Sequence, residues 1–137
     1  MKGAAYSGVV SAPVVPMLEG AAIDWDCLGE YSAWLVAQRP VGIAVNMDAG
    51  EGHSLTRDER RALLETYVAS ANSSCKVIAG IIASTTVEAV TLGLEAKSIG
   101  ADAMVLFPAL PLFLGDPPPH DLPLRFHQEV ADPVACP

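Results

Sequence analysis

The stretch KVIAGIIASTTVEAVTLGLEAKSIGADAMVLFP, Lys76–Pro108, decides the fold. It opens with the run Lys76–Ile82, too uniformly apolar for a strand with one wet face. TTVE, Thr85 to Glu88, follows. A Ser or Thr with Glu three residues later is a capping box, so a helix starts here. Val87, Val90 and Leu94 recur at helical spacing and are expected to form its inner stripe. Gly100 is placed to cap its C-terminus. A second apolar run, Ala103–Pro108, closes the stretch. Strand, capped helix and strand make a βαβ unit, which joins parallel strands by a right-handed crossover.

The same grammar extends in both directions. Upstream, VGIAVN (Val41–Asn46) reads as a strand. After it, the loop MDAGEGHSL leads into TRDE, Thr56 to Glu59, a further capping box. The helix it starts carries Leu63, Leu64, Tyr67 and Val68, and SANSS ends it. Further back, GVVSAPVV (Gly8–Val15) reads as a first strand buried on both faces. Pro16 and Gly20 mark the turn after it. Asp24 is the expected N-cap of a helix with Leu28, Ser32, Leu35 and Val36 on one side, stopped by Pro40. Downstream, a Pro-rich loop leads to a last helix near Asp121–Ala131.

Four strand–helix units within 137 residues make one α/β domain, 1–137, with a parallel sheet covered by helices. Two closures fit: an open doubly wound sheet, or the (β/α)4 N-terminal half of a (β/α)8 barrel, a partial TIM barrel. A whole barrel needs about 250 residues. No G-x-G-x-x-G follows the first strand, so a dinucleotide crevice is unsupported and the half barrel is favoured.

Composition removes several function classes. Hydrophobic residues are 51% and charged residues 18%, a balance that buries a core and argues against disorder. The net charge is −8, and no Lys/Arg cluster is long enough to follow a phosphate backbone, so no nucleic-acid partner is expected. Cys27, Cys75 and Cys136 are odd in number and far apart. With His53, His120 and His127 they show no metal-ligand spacing, so neither a disulfide framework nor a metal site is expected. The N-terminal apolar run is broken by Pro13 and Pro16 and followed by Glu19. It reads as a strand, not a targeting segment. No apolar run reaches the ~18 residues of a membrane span, so the expected location is the cytoplasm.

Three segments together resemble the dihydrodipicolinate synthase/N-acetylneuraminate lyase family, over Gly8 to about Val130. GVVSAPVVPM…IDWDCLGEYSAWLV is similar to its opening strand and first helix. NMDAGEGHSLTRDER stands where the family carries G-T-T-G-E and then L-S/T-x-x-E-R. KVIAGIIASTTVEAVTLGLEAKSIGADAMVLFP follows its V-I-A-G-V-x-x-x-S-T-x-E-A…G-A-D-A-x-L-x-x-P and is the most specific part.

The resemblance implies a class I aldolase-type barrel without metal or organic cofactor. In the family a lysine on the sixth strand forms a Schiff base with pyruvate or another 2-oxo acid, and a tyrosine on the fifth strand relays protons. Backbone amides after the second strand hold the oxo acid's carboxylate, an anion site of the kind strand-to-helix turns offer. By resemblance, Asp48, Ala49 and Gly50 form that cradle and Glu51 is the family's glutamate. On the residues alone, Asp48–Glu51 reads equally as a tight βα turn in which Gly50 supplies a positive φ.

The departures are as informative. Asp48 and Ala49 replace the threonine pair, whose first hydroxyl belongs to the family's proton relay. A carboxylate at Asp48 repels an anionic oxo acid unless it is protonated or paired. That argues against the lysine-pathway synthase activity and for a divergent branch. Where many members place tyrosines after the fourth strand, this chain has FPALPLFLGDPPP, and neither Phe107 nor Phe113 can donate a proton. The lysines are Lys2, Lys76 and Lys97. Lys76 starts a strand and faces away from the site; Lys97 lies on a helix and is expected to be solvated. The Schiff-base lysine and relay tyrosine are therefore expected beyond the C-terminus, leaving Asp48 as the one candidate catalytic residue here. His53 can reach the strand C-terminal face as an acid or base, or can simply sit at the helix entry. Cys27 and Cys75 have no histidine placed near them.

Three functions remain in competition. The chain is part of an aldolase or lyase acting on a small 2-oxo acid, inactive alone and homo-oligomeric when whole. It is a half barrel that binds small carboxylates without turnover. Or it is a truncated product without function. In isolation, its first and fourth strands are expected to be open edges that favour pairing with another copy or aggregation.

Overall fold

The structure, a computed structural model, describes residues 7–109 and 119–136. Lys2 and Phe113 lie outside them. Four strands and four helices alternate: β1 (Val10–Ser11), α1 (Trp25–Ala37), β2 (Gly42–Val45), α2 (Arg57–Ala71), β3 (Lys76–Ile81), α3 (Thr86–Ile99), β4 (Ala103–Leu106) and α4 (Leu122–Val134). All strand pairs are parallel and the order is β1-β2-β3-β4. This order separates the two closures left open by the sequence. A doubly wound sheet reverses direction at a switch point; here each strand sits beside its chain neighbour, as in a barrel half.

The two faces of the sheet differ. Ile43, Val45, Val77, Ala79 and Ile81 join Leu28, Leu35, Leu63, Leu64, Tyr67, Ala89 and Ala96 of the helices in the main core. The opposite face carries a small separate cluster of Ala44, Ile78 and Ala103, with Met47 packed on it. Ala44 pairs with Ile78 and Ile78 with Ala103, so these side chains form one layer across three strands. Such layers fill barrel interiors.

The caps follow the sequence with one change. Asp24 Oδ1 accepts from the Cys27 amide at 2.9 Å. Thr56 and Glu59 complete their capping box in both directions. At α3, Thr85 accepts from Glu88 N, but the Glu88 carboxylate takes the Ser84 amide at 2.9 Å instead of the Thr85 amide. The second box is thus only half of one, lengthened by a residue. Gly100 closes α3 at φ 114, as a C-terminal glycine does.

Three expectations are corrected. The first strand pairs only over Val10–Ser11, not Gly8–Val15, and Val9 and Val10 are 71% and 41% exposed. It is an edge with one neighbour, and Pro13 brings no N–H to a ladder. The inner stripe of α3 is Ala89, Gly93 and Ala96; of the expected residues Val90 packs against the core, while Val87 is 78% and Leu94 46% exposed. Close packing dictates this choice: a Cβ on Gly93 would stand 2.9 Å from Val134 Cγ2 of α4. Lys97 is exposed but not merely solvated. Its Nζ donates to the carbonyls of Val134 and Ala135 at 2.9 and 3.2 Å, capping α4.

Candidate functional site

The segment leaving β2 turns through two left-handed residues. Asn46 has φ 62 and Glu51 φ 54, with a single 3-10 turn, Asp48–Gly50, between them. Asn46 is buried; its Nδ2 donates to the Arg60 carbonyl at 3.0 Å. Its Oδ1 has no partner among the described residues. Arg60 in turn donates to the carbonyls of Gly52 and Leu55 at 3.1 and 3.2 Å. The first turn of α2 therefore holds both ends of the loop. Backbone contact holds it from the other side. A Cβ on Gly52 would meet the Asn46 carbonyl oxygen at 2.5 Å, and one on Gly80 of β3 would collide with the same oxygen.

Gly50 is needed, but not for a positive φ. The left-handed residue is Glu51. Gly50 is buried against the segment after β1, where a Cβ would stand 2.8 Å from the Pro13 carbonyl oxygen. Sequence reasoning found the glycine and missed the reason, because Pro13 approaches only after the chain has folded.

The turn's hydrogen bonds sort the candidate donors. Gly50 N and Gly52 N both donate to Met47 O, at 3.0 and 3.1 Å, and Glu51 N donates to Asp48 O at 3.0 Å. The amides of Asp48 and Ala49 take no part in these bonds. Of the expected cradle of Asp48, Ala49 and Gly50, the Gly50 amide is thus committed to the turn, and the other two amides take no part in it. Glu51 is exposed on the rim.

One pairing was not anticipated. His53 Nε2 lies 3.0 Å from Asp48 Oδ1. The Phe107 ring, just past β4, meets the imidazole edge-on, with centroids 5.4 Å apart and planes at 80°. Phe107 N continues the ladder to Ile81 O at 3.0 Å, which fixes where that ring stands. Asp48, His53 and Phe107 thus meet across the C-terminal ends of the strands, the end where barrel enzymes build their sites. Spacing alone places Asp48 and His53 on one loop; Phe107 joins them only through the β2-β3-β4 register.

The remaining candidates lie elsewhere. Lys76 pairs with Asp102 at 2.6 Å at the opposite end of the sheet. Cys75 is buried there too, where burial and, secondarily, the Asp102 charge push its thiol up. Cys136 is also pushed up, chiefly by burial. His127 lies 2.7 Å from Pro123 O and 3.3 Å from Leu106 O through its two ring nitrogens, holding α4 to β4. Among the described residues, no three His, Cys, Asp or Glu side chains gather as metal ligands would. No helix among them is long and apolar enough to cross a membrane.

The profile of the dihydrodipicolinate synthetase family matches residues 5–126. The 4-hydroxy-tetrahydrodipicolinate synthase of Ralstonia nicotianae is 38% identical over 97 residues, covering 71% of this chain and 33% of that protein. Human N-acetylneuraminate lyase is 35% identical over 126 residues, covering 90% of this chain and 38% of the enzyme. Among solved structures, the chloride-inhibited dihydrodipicolinate synthase of Acinetobacter baumannii complexed with pyruvate superposes with a TM-score of 0.86 at 28% identity. That match covers 97% of this chain and 44% of the other. The chain therefore spans less than half the length of these relatives. With a matching profile over most of its residues and the same half-barrel backbone, the chain belongs to the dihydrodipicolinate synthetase family.

Proposed function

We propose that this chain forms the first half of the barrel of a Schiff-base aldolase or lyase acting on pyruvate or another 2-oxo acid. Its part is to hold the acid's carboxylate on the amides of Asp48 and Ala49. The observation that carries this reading is the division of amides in the loop after β2: the turn uses those of Gly50, Glu51 and Gly52 and leaves the two before them. Adjacent amides at a strand-to-helix turn suit a carboxylate. Membership of the family and a relative complexed with pyruvate support the choice of ligand.

Imine chemistry needs a desolvated amine in the pocket. Lys76 starts β3 and pairs with Asp102, and Lys97 caps α4, so neither described lysine suits the role. The reading assigns that lysine to further βα units of the kind the longer relatives have room for. Borohydride trapping with pyruvate, followed by mass spectrometry, tests it. No adduct is expected on the 137 residues alone, and one lysine adduct is expected on a protein in which they are followed by such units. An adduct on Lys76 or Lys97, or none on the longer protein, overturns the proposal. Carboxylate binding without any adduct on the longer protein would instead support a half barrel that binds small acids without turnover.

A further inference from the structure

We propose that His127 is a proton-operated tie between α4 and the end of β4. Charged, its ring holds both elements; neutral, it holds only α4. The device lies outside the candidate site and does not depend on what the loop after β2 receives.

The geometry sets two acceptors against two ring nitrogens. Nδ1 lies 2.7 Å from the carbonyl oxygen of Pro123, one turn back in α4. Nε2 lies 3.3 Å from the carbonyl oxygen of Leu106, the last residue of β4. Carbonyl oxygens only accept. A neutral imidazole has one N–H and one bare nitrogen, so it serves one carbonyl and turns a lone pair toward the other. The imidazolium has two N–H groups and serves both, and hydrogen bonds from a charged donor are the stronger kind. The shorter contact decides which proton is kept. In the neutral ring Nδ1 donates to Pro123, and Nε2 faces Leu106 bare. Losing a proton therefore cuts the link between the two elements and spares the one within α4.

The surroundings accept the charge. His127 is half-buried, not sealed from water. The Phe126 ring meets the imidazole edge-on, with centroids 5.5 Å apart. His127 lines a groove between β4 and α4, where β3 and β4 present Ile81, Met104 and Leu106, none of them ionisable. Cys136, just after α4, is the other titratable side chain lining that groove. On α4 and its cap, Asp121, Glu129 and Asp132 outnumber Arg125. From α3, the Thr86 hydroxyl reaches Glu129, and Lys97 is engaged with the carbonyls at the far end of α4. This balance favours a positive ring. The tie is therefore whole in acid and halved as pH rises through the imidazole range. Its neighbour gives it reach: Phe107, next after Leu106, carries the ring that meets His53.

The test is long-range proton–nitrogen NMR of the chain labelled with 15N and 13C, at about pH 8 and about pH 5.5, either side of the ordinary imidazole value of about 6.5. At the higher pH, His127 is expected with its proton on Nδ1 and with Nε2 bare. At the lower, it is expected with a proton on each. The Leu106 carbonyl carbon is expected to shift between the two conditions. In His127→Phe, which keeps a ring and loses both nitrogens, that carbon is expected to stay in place. A Nε2–H tautomer at the higher pH, or the same protonation at both, overturns the proposal. So does a Leu106 carbonyl that ignores the change at His127. A Leu106 shift of equal size in His127→Phe also overturns it, because His53 would then be the cause. The other readings need only the parent chain, so a His127→Phe protein that fails to fold leaves the test intact.

Discussion

Gly50 and Pro13 touch so closely that a Cβ on Gly50 would stand 2.8 Å from the Pro13 carbonyl oxygen. The loop after β2 is therefore seated on the segment after β1, and its amides point where that seat sends them. Gly50→Ala must lift the loop by several tenths of an ångström, since the obstacle is backbone and cannot rotate away. We expect pyruvate affinity to fall at least about tenfold, equivalent to about 1.4 kcal/mol. Calorimetric titration beside thermal unfolding checks this, and full affinity in a folded Gly50→Ala protein would show that the seat does not aim the amides.

Gly80 and Gly29 give a contrasting pair. A Cβ on Gly80 would collide with the Asn46 backbone, whereas one on Gly29, in α1, meets nothing within 4 Å. Gly80→Ala is expected to cost about 1–3 kcal/mol through overpacking. Gly29→Ala is expected to gain about 0.5–1 kcal/mol from helix propensity and a less flexible unfolded chain. Urea unfolding of both variants checks the signs; equal effects would refute the close approach of β2 and β3.

The N-terminus of α2 yields a pH-dependent prediction. Hydrogen bonds from the Thr56 side chain and backbone hold the Glu59 carboxyl below its ordinary value. A depressed folded pKa means stability that is present above the unfolded value and lost as pH falls through the folded one. Thr56→Ala should cost about 1 kcal/mol near neutrality. Glu59→Gln should differ from the parent near pH 7 and converge with it in acid, once the pH has fallen through the lowered value. A gap that persists there would mean that Glu59 acts without its charge. Urea unfolding across pH reads this.

The cysteines should react in a fixed order. Cys27 is exposed, Cys75 buried and Cys136 partly covered. The latter two thiols are pushed up, first by burial and also by the Asp102 charge, with Lys97 opposing at Cys136. Thiolate is the reactive form. Iodoacetamide at about pH 8, read by peptide mass spectrometry, should therefore label Cys27 well before the other two. Early labelling of Cys75 would contradict the packing around the start of β3.

Local rules were legible where one residue decides the outcome. Asp24, Thr56, Thr85 and Gly100 each cap as their types and positions imply. The rules fail where two elements compete for one surface. In α3, periodicity favours Val87 and Leu94, but the close approach of α4 at Gly93 admits only small side chains, and the valine and leucine turn outward. Similarly, Gly50 draws attention as the flexible residue, yet Glu51 is the one in left-handed backbone. The candidate site is only partly legible. The resemblance, not the loop's own residues, singles out Asp48, Ala49, Gly50 and Glu51; the partnership of Asp48 with His53, and of His53 with Phe107, needs the folded register.

The central claim is that the amides of Asp48 and Ala49 receive a 2-oxo acid's carboxylate. The most direct measurement is a pyruvate titration of the 15N-labelled chain, followed by its amide spectrum. The account predicts saturable shifts centred on Asp48 and Ala49, with Gly50 and Gly52 moving less because their amides are already bonded to Met47. Saturation with those two amides unmoved, or shifts centred on another strand end, would contradict it.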